Sequence, residues 1–152
     1  MNRLDIGENL LVVLWIGGMW ATGYVVAPTL FDMLDRVTAG TVAGRLFTIQ
    51  SWIGLFCGVL LLIATSGRRP LAAVRRWLLV VMLAVIAAGQ FGLQPMMEAL
   101  KAEGLVEGSE TAARFATLHG LSASLFLLNS LLGVALVGVL AAGRRLSGGE
   151  AG

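Results

Sequence analysis

The sequence is poor in charge, cysteine and histidine. Charged residues make up 13% of the chain, against about 25% in ordinary soluble domains, and hydrophobic residues make up 57%. The single cysteine, Cys57, excludes an intramolecular disulfide and is interpreted as a small apolar side chain. A net charge of +2 without a long Lys/Arg run excludes the usual footprint of a nucleic-acid-binding protein.

Charge is also missing from four long stretches of the chain. A helix rises about 1.5 Å per residue, so roughly 20 residues cross a ~30 Å hydrocarbon core. Each stretch is long enough to cross once, and the composition leaves too little polar surface to cover a soluble core. The sequence therefore predicts an all-α integral membrane protein in a lipid bilayer. The four charge-free stretches are residues 9–31, 46–67, 77–97 and 115–143.

The short connections predict one compact unit, an antiparallel four-helix bundle. We expect a single membrane domain at 1–146 and a disordered tail at 147–152. Gly104 is a candidate C-cap of the third helix, Ser109 a candidate N-cap of the fourth, and Thr38 a candidate N-cap of the second. The spans are expected at about 9–31, 42–66, 76–97 and 115–142.

The arginines predict the orientation of the bundle. Four crossings put both termini and the middle loop on one side, which carries the larger number of positive residues, and Lys and Arg accumulate in cytoplasmic loops. Asp5 and Glu8 lie where a signal peptide would be positive, so the first span is expected to be retained. We predict a multi-pass protein of the inner (plasma) membrane with both termini cytoplasmic. The cytoplasmic set is Arg3, Arg68, Arg69, Arg75, Arg76, Arg144 and Arg145, against Arg36, Arg45, Lys101 and Arg114 outside.

Small residues four positions apart recur in every predicted span. This spacing lets membrane helices approach closely, and it predicts a tight bundle without identifying any particular partner. The sets are Gly18 with Thr22, Gly40 with Gly44, Gly54 with Gly58, Ala84 with Ala88 and Gly92, and Gly138 with Ala142.

Helical spacing places most polar residues of the spans in the outer third of the membrane and leaves the cytoplasmic half almost wholly apolar. His119 is the only histidine of the chain, and an ionisable residue inside a span is a candidate site. Two interpretations stay open: hydrogen bonds between helices that only fix packing, or an outward-facing cavity for a ligand or ion. The predicted cluster comprises His119, Gln94, Arg45, Asp32, Ser122 and Asn129.

Pro28 and Pro95 lie near the outer ends of the first and third spans. Each removes a backbone donor and can kink its helix, which frees a carbonyl one turn earlier. Two outcomes stay open: the two prolines open a cavity beside the polar cluster, or they only end the straight part of each helix.

The residues offer weak support for a metal or cofactor. His119 with Met97, and with Met33 or Met96 near the same depth, would form a soft site suited to Cu(I). A haem would have only one histidine as axial ligand. No triad or metalloprotease pattern is present, so no catalytic residue is predicted, the cofactor stays unknown, and enzymatic activity is not indicated.

Four segments resemble the transmembrane protein 205-like family of small four-span membrane proteins. They are Leu14–Gly18 (LWIGG), Val25–Phe31 (VVAPTLF), Ala39–Phe47 (AGTVAGRLF) and Leu118–Gly120 (LHG). The resemblance covers essentially the whole chain and implies four helices and a bacterial inner-membrane location, with no assigned biochemical activity.

More remotely, the architecture is similar to copper-resistance D membrane domains and to four-helix, haem-containing protoporphyrinogen oxidases. Those groups tend to carry a histidine in the first span, where this chain has Asn9. No functional residue is transferred from them.

Two functions of different class follow from the sequence. The first is binding or transport of a small solute or metal ion through the polar cluster, in a homo-oligomer because four helices enclose little volume. The second is a non-catalytic membrane scaffold or partner subunit in which the cluster serves assembly only.

Overall fold

The computed structural model describes residues 3–65 and 71–149, and it describes side chains within 5–65 and 71–146. These residues form four long helices and no strand. Each helix contains a stretch that is long and apolar enough to cross a membrane. The predicted all-α fold with four membrane helices is confirmed.

Helices α2 and α4 are continuous and longer than a membrane requires. Helix α2 covers Arg36–Ala64 and helix α4 covers Glu110–Gly149. Helix α4 thus continues three residues into the segment expected to be a disordered tail, and 150–152 lie outside the described residues. Helix α2 therefore begins ten residues before its charge-free stretch, and helix α4 extends beyond its stretch at both ends.

Helices α1 and α3 contain wider, π-helical turns. Helix α1 runs from Arg3 to Met33 with π-helical turns at Val13–Gly17 and Ala21–Val26. Helix α3 runs from Ala72 to Glu103 with one such turn at Ala88–Leu93. A π-helical turn holds one residue more than an α-helical turn, so it shifts every following side chain around the axis.

A proline follows each of these two helices' last π-helical turns. Pro28 lies two residues after Val26, and Pro95 lies two residues after Leu93. Proline cannot bond the carbonyl four residues earlier, and its ring clashes with it. The wider turn accommodates this missing bond, so the irregularity expected from the prolines takes the form of a wide turn in each helix.

Two of the three predicted helix caps are present in the structure. Gly104 ends α3 with a positive φ of 93°, and the Ser109 hydroxyl accepts a 3.1 Å bond from the Ala112 N–H at the start of α4. Thr38 as N-cap of the second helix is wrong. Asp35 caps α2 instead, and its carboxylate accepts the N–H groups of Val37 and Thr38.

The four helices alternate in direction. The starts of α1 and α3 and the ends of α2 and α4 lie at one end of the bundle, where Arg75 bonds Glu8 and Arg144 bonds Asn9. We call this the terminal end, because the first and last described residues lie there. The other end, the loop end, carries the connections at 34–35 and 104–109. Arg68 and Arg69 of the orientation argument lie outside the described residues.

The core lies in the terminal half of the bundle around Trp15 of α1, which is 1% exposed. Its indole ring lies against Gly54 and Gly58 of α2. Because lipid is as apolar as this core, close packing rather than transfer from water holds the helices together. The fully buried side chains of the core are Trp15, Leu61, Leu79, Met82, Leu136 and Cys57.

Only some of the predicted small-residue pairs serve packing within one chain. Gly54 and Gly58 meet Trp15, as close helix approach requires. Gly40, Gly92 and Gly138 have no described atom within 4 Å of the position that a Cβ would occupy. These three glycines face away from the bundle.

Candidate functional site

Polar side chains of α3 form a connected group at the loop end. Gln94 Nε2 donates to Glu98 Oε1 at 3.1 Å, and Lys101 Nζ donates to the same oxygen at 2.9 Å. The spacings of four and three residues put the three side chains on neighbouring turns of one helix. Lys101 lies in the last turn of its segment, where a positive charge favours the helix dipole.

Lys101 links this group to α4 and approaches α2. Its ammonium lies 5.8 Å from the centre of the Phe115 ring, within the range of a cation–π contact. Phe115 stacks on His119 with ring centres 6.0 Å apart and planes 11° apart. Lys101 Nζ also lies 3.7 Å from the position that a Cβ on Gly44 would take. We name Gln94, Glu98, Lys101, Phe115 and His119 the loop-end cluster.

The structure brings together two of the six residues of the predicted ligand-binding cluster. His119 and Gln94 belong to the loop-end cluster, linked through Lys101, Glu98 and Phe115 rather than by direct contact. Asp32 and Arg45 are exposed, and Ser122 is half-buried; none of these three has a described contact with the cluster.

Asn129, the sixth residue, lies deeper in the bundle. Its side chain is buried, and its Nδ2 lies 3.5 Å from Met19 Sδ of α1. Met97, the second predicted copper ligand, is buried in the bundle, whereas His119 is exposed. Ligand binding by these residues stays a prediction.

A shallow cavity of 440 Å³, open at the surface, lies between the same segments of α3 and α4. Its volume falls within the range of about 300–1,000 Å³ that small-molecule sites occupy. The lining is mainly apolar, and its polar members are Arg114, which pairs with Glu110 at 2.7 Å, and Thr117. The cavity is lined by Met96, Ala99, Leu100, Arg114, Thr117 and Leu118.

Asp35 lies in the connection between α1 and α2, and hydrogen bonds shift the pKa of its carboxyl. Hydrogen bonding with Thr38, first with its side chain and then with its N–H, lowers the pKa of the Asp35 carboxyl below the ordinary value of 3.8. The N–H of Val37 adds to the same effect. Asp35 therefore stays ionised as the N-cap of α2 at neutral pH.

The sequence analysis missed a buried ion pair at the terminal end, where an almost wholly apolar half was expected. Glu8 is 4% exposed and Arg75 is 5% exposed, and Arg75 Nη1 lies 3.2 Å from Glu8 Oε2. Arg75 Nη2 donates to the Leu61 carbonyl at 3.3 Å, an oxygen that also accepts the Thr65 hydroxyl. One signal was available, because Glu8 lies one residue before the first charge-free stretch and Arg75 lies two residues before the third.

Gln50 was also missed, and it makes the buried hydrogen bond between α2 and α1. Its Nε2 donates to the Trp15 carbonyl at 2.9 Å, inside the first π-helical turn. Gly18 leaves the space for this amide, because a Cβ there would lie 2.9 Å from Gln50 Oε1. The pattern of an uncharged polar residue opposite a glycine pointed to this contact.

Most span hydroxyls bond within their own helix. Each donates to the carbonyl four residues earlier, which satisfies the group without a partner helix. Packing between helices therefore depends on few polar contacts. The hydroxyls are those of Thr29, Thr41, Thr48, Ser51, Thr65, Thr117 and Ser124.

No group of three or more His, Cys, Asp or Glu side chains that could hold a metal ion occurs among residues 3–65 and 71–149. The loop-end cluster supplies one carboxylate and one imidazole, with Lys101 paired to the carboxylate. Its chemistry is that of a polar, charge-balanced surface.

The chain was compared with known protein families and proteins. No curated protein and no solved structure matches it. The model of a domain of unknown function, DUF4149, matches residues 10–105. That match covers more than half of the chain, including the Trp15–Gln50 contact, Arg75 and the α3 part of the loop-end cluster. The chain therefore belongs to the family of the domain of unknown function DUF4149.

Proposed function

We propose that this membrane protein binds a small anionic amphiphile at the loop end, and that it acts as a binding protein rather than an enzyme. The observation that carries the proposal is the 440 Å³ cavity between α3 and α4. Its apolar lining suits a hydrocarbon chain. The Arg114 guanidinium at the same cavity bonds the exposed Glu110 carboxylate at 2.7 Å, and in this proposal it exchanges that partner for a carboxylate or phosphate group of the ligand.

The loop-end cluster supports the proposal by joining the two helices that form the cavity. The Lys101 ammonium of α3 contacts the Phe115 ring of α4. Arg114 directly precedes Phe115 in α4, and Thr117 follows it by two residues. His119 and Gln94 act in this proposal as residues that position the cavity walls. Asp32, Arg45, Ser122 and Asn129 have no role in it.

Calorimetric titration of the protein in nanodiscs with octyl phosphate tests the proposal, with empty nanodiscs as the blank and octyltrimethylammonium as the probe of opposite charge. We expect saturable binding of octyl phosphate only. Arg114→Gln and the cavity-filling Leu118→Trp should each weaken binding by about tenfold, the loss of about one hydrogen-bonded charge or one apolar contact site.

Two variants serve as matched controls. Arg36→Gln removes another exposed loop-end arginine, and Leu127→Trp enlarges another exposed face of α4. Both should bind as the unaltered protein does. Equal binding by all four variants, or equal binding of both amphiphiles, contradicts the proposal.

Copper binding by His119 and Met97 remains a prediction of the sequence, as does haem binding. His119 lies exposed on α4, and Met97 lies buried on α3. Stoichiometric Cu(I) that is lost in His119→Ala, with unchanged helicity, is the result that would establish it.

A partner subunit or homo-oligomer is the second candidate, favoured by the exposure of α3. Only 11% of the most apolar stretch of α3 is buried, against 22% or 28% in the other helices. Ala84, Ala88 and Gly92 all lie on its exposed face. Gly92→Leu should reduce the native mass in nanodiscs to that of one chain, while Gly138→Leu on α4 should not. A single-chain mass of the unaltered protein excludes a homo-oligomer.

We also propose an inner-membrane location with the terminal end in the cytoplasm, and kinship with the transmembrane protein 205-like family. The excess of arginine near the terminal end supports the orientation. The LWIGG and VVAPTLF segments support the kinship; Trp15 of the first is the central core residue and Pro28 of the second follows the wide turn of α1.

A further inference from the structure

The Glu8–Arg75 ion pair covers the core at the terminal end. Glu8 lies one turn before Val12 in α1, and Arg75 lies one turn before Leu79 in α3; both following residues belong to the core. Arg75 also donates to the Leu61 carbonyl of α2. The pair therefore forms a layer that joins three helices between the apolar core and the terminal end.

The energy of this layer is finely balanced. Taking two charges out of water is costly, and only well-made hydrogen bonds offset that cost. The Arg75 guanidinium is incompletely bonded, because its buried Nε has no hydrogen-bond partner among the described residues. The bond from Nη2 to Leu61 is long at 3.3 Å. The closed arrangement is thus less favourable than a fully bonded pair would be.

Cys57 lies directly beyond the pair. It is 0% exposed and precedes Leu61 by one turn of α2, within the same core. It is also the only cysteine of the chain. If the terminal end opens and admits water to the core, the water meets Leu61 first and Cys57 one turn deeper.

We propose that the Glu8–Arg75 pair is a gate that holds the terminal ends of α1, α2 and α3 together, and that its opening exposes the core around Cys57. The gate lies at the opposite end from the loop-end cavity. The gate would therefore open the terminal end without moving the loop end. The gate proposal does not depend on what the cavity binds.

The rate at which N-ethylmaleimide labels Cys57 in nanodiscs measures the opening, with no engineered cysteine. Labelling of the unaltered protein should be slow. Glu8→Gln and Arg75→Gln should each speed labelling by at least about tenfold, because each breaks the ion pair and keeps the other charge buried. The double variant Glu8→Met with Arg75→Met should label as slowly as the unaltered protein, because an apolar layer also seals the core.

Two controls separate a gate from general loosening. Asn9→Ala removes the exposed Arg144 contact at the same end and should leave the rate unchanged. Gly58→Ala disturbs the packing of Trp15 without touching the pair. The proposal is overturned if the single variants label at the unaltered rate, or if Gly58→Ala speeds labelling as much as they do. It is also overturned if the double variant labels as fast as the single ones.

Should Glu8→Gln fail to fold, Arg75→Lys gives the answer. Lysine retains the charge but cannot bond Glu8 and the Leu61 carbonyl through the same planar group. We expect it to label faster than the unaltered protein and more slowly than Arg75→Gln. An unaltered rate in Arg75→Lys together with slow labelling in Arg75→Gln overturns the gate.

Discussion

At the scale of single residues, the contact between Trp15 and two glycines decides how closely α1 approaches α2. A Cβ on Gly58 would lie 2.7 Å from Leu83 Cδ2 and 3.0 Å from the Trp15 ring. The Trp15 ring cannot move far, because it is fully buried, whereas Leu83 is half-buried. The position therefore requires glycine for space and not for backbone conformation.

We expect Gly58→Ala to destabilise the bundle by about 1–3 kcal/mol, the usual cost of overpacking. Gly40→Ala in the same helix should change stability by less than about 0.5 kcal/mol, because it meets open space. Thermal unfolding of the two variants in detergent, followed by circular dichroism, compares them. Equal midpoints in the two variants would show that Trp15 can retreat.

Asp35 provides a residue-scale prediction about pH. Its carboxyl has a pKa below the ordinary 3.8, so its contribution to the N-terminus of α2 is complete above 3.8 and is lost as pH falls through the lowered value. The amide shifts of Val37 and Thr38 should titrate with a midpoint below 3.8. Asp35→Asn, which keeps a capping side chain, should abolish this titration. A midpoint at or above 3.8 contradicts the assignment.

Residue identity predicted some contacts of the candidate site and missed others. Gln94 and His119 share a cluster, but Lys101 and Phe115 connect them, and neither was counted among the polar span residues. The hydroxyls of Thr41 and Thr48 bond their own helix rather than a neighbouring one. Helical spacing gives the direction of a side chain, but it does not show which of several nearby carbonyl groups accepts its hydrogen bond.

At the scale of helices, the ion pair between α1 and α3 makes a prediction about stability. Arg75→Met alone should cost about 3–5 kcal/mol, because the Glu8 carboxylate stays buried beside an apolar side chain. Adding Glu8→Met should recover most of this loss. The unfolding midpoints of the two single variants and of the double variant give the coupling free energy between Glu8 and Arg75. Additive losses of stability would show that the two residues act independently.

Helix positions were predictable because four charge-free stretches match the thickness of a bilayer. The wide turns were not, since Pro28 and Pro95 predict a missing bond but not how the helix adapts to it. The Asp35 cap was missed because the second helix was begun at its apolar residues rather than at the nearest carboxylate. The buried pair was missed because positive-inside counting treats every charge at a helix end as exposed.

At the scale of the whole molecule, the orientation in the membrane is the property most open to a direct test. With the terminal end in the cytoplasm, a green fluorescent protein fused after Gly152 should fluoresce, and alkaline phosphatase fused there should be inactive. Fusions at Glu107, in the connection between α3 and α4, should give the opposite pair of results. Active phosphatase at the C-terminus would reverse the proposed topology.

The wide turn of α3 also sets how this helix can change length. Residues 88–93 hold one residue more than a regular helix needs, and each residue turns an α-helix by about 100°. If the same residues formed a regular α-helix throughout, Gln94, Glu98 and Lys101 would rotate together around the axis by about one residue's angle, and Lys101 would point away from Phe115. Deleting Gly89 removes the extra residue, so we expect it to leave a regular helix in which Gln94, Glu98 and Lys101 keep their direction.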